Sequence, residues 1–347
     1  MTVSENISPA PAAGRVRMAE PWKLLAFLGA GVVVLFWISM SVGPATIPMM
    51  QALQGAFADD PPVISTILVE LRLPRAILGV LVGATLGLSG AALQGLFRNP
   101  LAEPGIIGVS ASAALGAVII FYFGLSGTFA LALPLGGIAG ALLAVLVLFA
   151  LAGRDAGILT LILAGVAIAS LAGALTSLAL NLAPSPYAQS EIITWLLGSL
   201  ADRSLSDVWL AGPLMLGGWA LLLISGRALD ALSLGEDTAK TLGFAMNRVR
   251  LQVIVGTALS VGAAVSVTGG IAFVGLVVPH LLRPLVGFEP RRLLVASALG
   301  GAALILAADI AVRIISEQTE LKLGVLTAMV GAPFFLFLIY KTRGQGL

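Results

Sequence analysis

Cysteine is missing altogether, histidine occurs once, at His280, and charged residues make up only 10% of the 347 positions. Without thiols there is no disulfide, no thiolate nucleophile and no cysteine metal site. One imidazole is too few for a transition-metal centre. No GxxxxGK[ST] string occurs, so nothing in the chain cradles nucleotide phosphates as a P-loop does. The apolar stretches also lack the serine–histidine pair, paired acids or zinc-ligand motif that an intramembrane enzyme needs. A net charge of +2 forms no nucleic-acid-binding patch.

What the chain has instead is apolar length. Hydrophobic residues are 59% of the sequence and the mean hydropathy is +1.05, which marks a membrane protein. Runs long enough for about 30 Å of hydrocarbon recur at 24–42, 76–96, 105–121, 129–152, 157–180, 207–225, 249–268, 272–286, 293–313 and 323–340. Backbone groups in that medium must pair within helices or a closed barrel, and runs of this length without alternating polar residues choose helices. The expectation is an all-α, polytopic fold of ten spans over residues 23–347, preceded by a polar tail, residues 1–22. The first run follows Arg15, Arg17 and Lys23 but is longer than a signal-peptide core, so it is expected to be retained. The 41 glycines suit close helix packing in lipid.

Charge orients this arrangement. With both termini inside, fourteen of the 19 lysines and arginines fall on the cytoplasmic side, leaving Arg72, Arg75, Arg203, Arg313 and Lys322 outside. The short segment 272–286, with Pro279, His280, Arg283 and Pro284, reads as a broken helix sheltered by its neighbours. Its removal alone would put Lys341 and Arg343 outside, against that bias.

Small residues repeat every four positions at Gly79, Gly83 and Gly87, and again at Gly165, Ala169, Gly173 and Ser177, marking single helix faces. The first stripe is read as packing; the second serves packing or a substrate path equally well. Segment 226–250 reads as a short amphipathic helix: Ser233 and Glu236 have capping-box spacing, Asp237 also suits the N-terminus, and Leu229, Leu232, Ala239 and Leu242 give an apolar face. Asp309 lies deep in the ninth run and needs a partner there; Arg313, four residues on, is within helical reach. His280 reads as a satisfied helix-end residue rather than a ligand.

Five strings then occur in order: Gly90 to Ser110, containing Arg98-Asn99-Pro100-Leu101-Ala102-Glu103-Pro104-Gly105; Leu234-Gly235-Glu236 through Leu242-Gly243; Gly270 to His280; Ala308 to Arg313; and Gly324 to Phe335. Together they resemble the FecCD/BtuC family of type II ABC importer permeases over most of residues 70–340.

The resemblance implies a bacterial inner-membrane permease that is not an enzyme and binds no cofactor, ATP and Mg2+ being used by a partner. It implies a homodimer with two ATPase subunits and a periplasmic substrate-binding protein, embedded in lipid and without nucleic acid. It places ATPase coupling on Ser233, Gly235, Glu236, Asp237, Ala239, Leu242 and Gly243, and binding-protein docking on Arg72, Arg75 and Arg313. Cytoplasmic gates fall at Asn99, Leu101, Ile158 and Leu159. Gly95 to Leu101 with Gly108-Val109-Ser110 look most like haem permeases, so haem leads, ferric siderophores follow and cobalamin comes third. An ion-coupled secondary carrier using Asp309 is the alternative from another class.

Overall fold

The computed structural model describes residues 21–43, 48–55, 62–127, 131–153, 157–315 and 321–342. Almost all of the expected tail, 1–22, lies outside this set. Among the described residues the chain is helical throughout: α1 (Pro21–Ser41), α2 (Met49–Gly55), α3 (Val63–Thr66), α4 (Leu73–Phe97), α5 (Val109–Tyr122), α6 (Ala132–Ala152), α7 (Ile158–Asn181), α8 (Pro186–Leu196), α9 (Leu205–Ile224), α10 (Gly226–Ser233), α11 (Glu236–Thr241), α12 (Met246–Thr268), α13 (Val274–Leu282), α14 (Pro290–Ile315) and α15 (Leu323–Thr342). Seven helical stretches are long and apolar enough to cross a membrane, and three shorter apolar ones stand at 109–122, 274–286 and 323–338. These ten occupy the ten expected runs.

The centre of the bundle is built on α4 and α12. Of their apolar stretches 83% and 78% is buried, against 11% for α1. Outward residues such as Val33, Leu143 and Leu171 are exposed, as lipid contact requires. The most extensive helix contact joins α4 to α14, and its cause is the first glycine stripe. A β-carbon at Gly83 would lie 2.3 Å from the Gly301 carbonyl oxygen, and one at Gly87 would lie 2.0 Å from that of Ser297. Only glycine allows this approach, which confirms the packing reading. The second stripe behaves differently along its length: Gly165 abuts Ile106, whereas Gly173 has no neighbour and Ser177 is exposed.

The structure departs from the sequence reading in three places. The second span begins earlier, because α3, a π-helical turn Ile67–Arg72 and α4 form one rod from Val63 to Phe97. The π turn lies directly before Pro74, whose missing N–H would interrupt a plain α ladder. Two helices, α2 and α8, had no expected counterpart; α8 is short, starts on Pro186 and is capped by Ser185, which accepts a hydrogen bond from the Ala188 amide. Finally, segment 226–250 holds two short helices and the start of α12 rather than one helix.

The broken span is as expected. Residues 269–272 carry no helix, Phe273 takes the left-handed conformation (φ 67°), and α13 then runs into a 3-10 turn at Arg283–Val286. At 1.5 Å per residue the helical part reaches about 20 Å, short of a full crossing.

Candidate functional site

α10 and α11 project from the bundle on two anchors. Leu229 and Leu232 are buried, and the Asp230 Oδ1 accepts a hydrogen bond from the Arg291 amide at 2.8 Å, fixing α10 to the start of α14. Gly235 then turns the chain with φ 116° and ψ 152°, a conformation open only to glycine. α11 follows with Ala239 buried, while Leu234, Asp237, Leu242 and Gly243 are exposed.

The expected capping box is not formed. Ser233 ends α10, its Oγ donating to the Asp230 carbonyl, and α11 has no side-chain cap. The glycine between them breaks the register that the Ser233–Glu236 spacing assumed. Glu236 is instead drawn to Lys240 at 3.1 Å and Arg250 at 2.8 Å, tying α11 to α12. The Lys240 hydrogen bond, helped by Arg250 and opposed by partial burial, holds the Glu236 carboxyl below its ordinary value. Of the expected apolar face, Leu229, Leu232 and Ala239 are buried and Leu242 is 60% exposed. The Arg250 and Arg291 ties were illegible in sequence, since each joins residues on separate helices.

Two of the expected gate residues, Asn99 and Leu101, lie in the turn after α4, and the other two, Ile158 and Leu159, open α7. Asn99 Oδ1 accepts a hydrogen bond from the Leu101 amide at 2.9 Å, closing the turn on itself. Leu101 and Ile158 are half-buried and Leu159 is 69% exposed. Next to them Gly165 of α7 lies against the Ile106 backbone, so the two segments meet closely there. Glu103, which sequence reasoning passed over, is bonded by the Phe273 backbone at the elbow before α13; burial pushes its carboxyl up and that bond opposes the shift. Its place directly before Pro104 gave no periodic signal.

At the opposite end, Asp309 is 1% exposed and shared by two arginines. Arg75 meets it through Nε at 3.0 Å and Nη2 at 2.8 Å, and Arg313 through Nη2 at 2.9 Å. Arg313 also donates to the Ser39 and Val42 carbonyls at 2.8 Å, and Arg72 to those of Met40 and Ser41 at 2.9 and 2.8 Å. The two arginines therefore satisfy carbonyls at the C-terminus of α1, which the helix leaves without partners. Arg72 is 6% exposed, and the Arg75 and Arg313 side chains 20% and 8%. The guanidinium groups thus face inward, and the carboxylate that a proton-coupled carrier would use is locked between two of them.

His280 sits in the last turn of α13 with its ring edge-on to Phe334, centroids 6.0 Å apart. A surface recess of about 180 Å3 lies between α5, α6 and α7 and one of about 290 Å3 between α5 and α7, with Leu115 and Ile119 bordering both and Leu143 and Leu171 the first.

Against known proteins, the FecCD transport family matches residues 31–341. An uncharacterized ABC transporter permease of Bacillus subtilis, YvrB, is 42% identical over 85% of this chain and 84% of its own length. The hemin transport system permease HmuU of Yersinia pestis is 37% identical over 96% and 98%. The cobalamin import permease BtuC of Halobacterium salinarum is 39% identical over 100% and 94%. A solved structure described as an inward-facing conformation of a metal-chelate type ABC transporter superposes with a TM-score of 0.80 at 34% identity, covering 92% of this chain and 99% of that one.

Proposed function

This chain belongs to the FecCD transport family, and we propose that it carries haem inward as the membrane-spanning subunit of an ATP-driven importer. It is the permease of an ABC importer and not an enzyme. The observation that carries the reading is a chain without a P-loop that bears an exposed rod, α11, pinned to α12 through Glu236 and Arg250. Such a chain takes its force from another polypeptide, and a rod held to a spanning helix transmits it.

In this proposal two copies enclose the path, two ATPase subunits grip Ser233 to Gly243 and use ATP with Mg2+, and a periplasmic binding protein delivers the substrate. The permease lies in the inner membrane with both termini and α10–α11 in the cytoplasm. Asn99, Leu101, Ile158 and Leu159 border the inner gate. Arg75, the most exposed of its group, leads the docking surface with Arg72 and Arg313 behind it. Haem is favoured over ferric siderophores and cobalamin because Gly95 to Leu101 and Gly108 to Ser110 carry the haem-like strings.

The test is uptake into proteoliposomes containing this chain, its ATPase and its binding protein. Haem accumulation that stops with a P-loop-dead ATPase is expected. Uptake by the chain alone under a proton gradient would sink the importer reading, and preference for a siderophore or cobalamin would sink haem alone.

A further inference from the structure

Beside α10, at the end assigned to the cytoplasm, lies a cavity of about 230 Å3 whose wall includes Gln94, Arg98, Leu229, Ser233, Arg283 and Phe288. Its charged lining is two arginines and no acid. The nearby carboxylates are occupied elsewhere: Asp230 by the Arg291 amide, Glu289 by Arg292 at 2.7 Å, and Glu236 by Lys240 and Arg250. Arg283 donates to Gln94 Oε1, and Gln94 in turn donates to the Gly275 carbonyl at 3.3 Å, so this cation is held by neutral groups. Arg98 and Phe288 both adopt left-handed backbone, at φ 51° and 62°, a conformation that side chains avoid unless the surroundings impose it.

We infer that this pocket receives an acidic side chain of the ATPase subunit, making a second contact point beside α11. The inference rests on the importer reading above. Charge complementarity supplies the chemistry, since arginine forks match carboxylates. Continuity supplies the partner: Leu229 and Ser233 belong to α10, so a subunit seated on α11 covers the pocket mouth. Both arginines also stand near helix C-termini, where a cation offsets the helix dipole; that role alone predicts altered stability with no change in partner affinity.

The experiment measures ATPase-subunit binding to this chain in nanodiscs at low and high salt. Arg98→Glu is expected to weaken binding about tenfold at low salt, with Arg98→Lys near the parent and the deficit shrinking at high salt. Arg98→Asn tolerates the left-handed backbone and serves if the reversal does not fold; it is expected to lose a smaller part of the affinity. Reversing the partner acid to lysine should restore binding to Arg98→Glu. Unchanged affinity for both Arg98→Glu and Arg98→Asn overturns the inference, as does a deficit present only in discs with anionic lipid, which would make a headgroup the occupant. A parent chain that recruits no ATPase fails the importer reading itself.

Discussion

Two centres of the same composition, one carboxylate between two cations, stand at opposite ends of this molecule and do opposite things. Asp309 lies between Arg75 and Arg313 at 1% exposure, whereas Glu236 lies between Lys240 and Arg250 with a third of its side chain in solvent. At the first, water is excluded, the arginines also hold the end of α1, and losing the acid strands two cations. At the second, the acid and Lys240 are open to solvent and salt, so the centre positions α11 without locking it. Burial, more than the number of contacts, decides which centre is structural and which yields.

That contrast is open to direct attack. Asp309→Ala is expected to destabilise the permease by about 3–5 kcal/mol, read as a large drop in the detergent melting temperature, and Asp309→Asn by less. A small drop for Asp309→Ala would erase the distinction. Next in size, Gly235→Ala forces a side chain into a glycine-only conformation at a cost of about 1–3 kcal/mol; most of the loss should appear in ATP-coupled uptake, because the strain is confined to the α10–α11 link. A global unfolding would show that the rod is part of the core.

Glu236→Gln should shift stability by no more than about 1 kcal/mol, with high salt abolishing the difference from the parent while leaving the Asp309 effect intact. The acid side of the same centre gives the smallest signal. Because the folded Glu236 carboxyl is held below its ordinary value of 4.5, its contribution is complete above pH 4.5 and fades as the pH falls through the lowered value. The parent should therefore lose slightly more stability than Glu236→Gln on acidification below pH 4.5, and parallel curves would contradict the pairing.

Helix placement was legible because lipid imposes one rule on every span, and the ten apolar runs obey it. The stripe Gly79–Gly83–Gly87 announced tight packing, and the four-residue offset of Asp309 and Arg313 announced their pairing. Arg75 joins them across 234 positions, and no local pattern encodes such a meeting. The coupling segment was legible in place but not in form. Ser233 and Glu236 have the spacing of a cap, yet Gly235 between them ends one helix and begins another. Glu103 was hidden for the same reason as Arg75: its partner, Phe273, is brought to it by the helix break at 269–272 rather than by any period.

That meeting of Glu103 with the Phe273 backbone ties the Asn99–Leu101 turn to the elbow of a half-length helix. A helix that stops partway through the bilayer can tilt without dragging a full span behind it. The turn is latched to its tip, so any tilt of α13 would be carried directly into the turn.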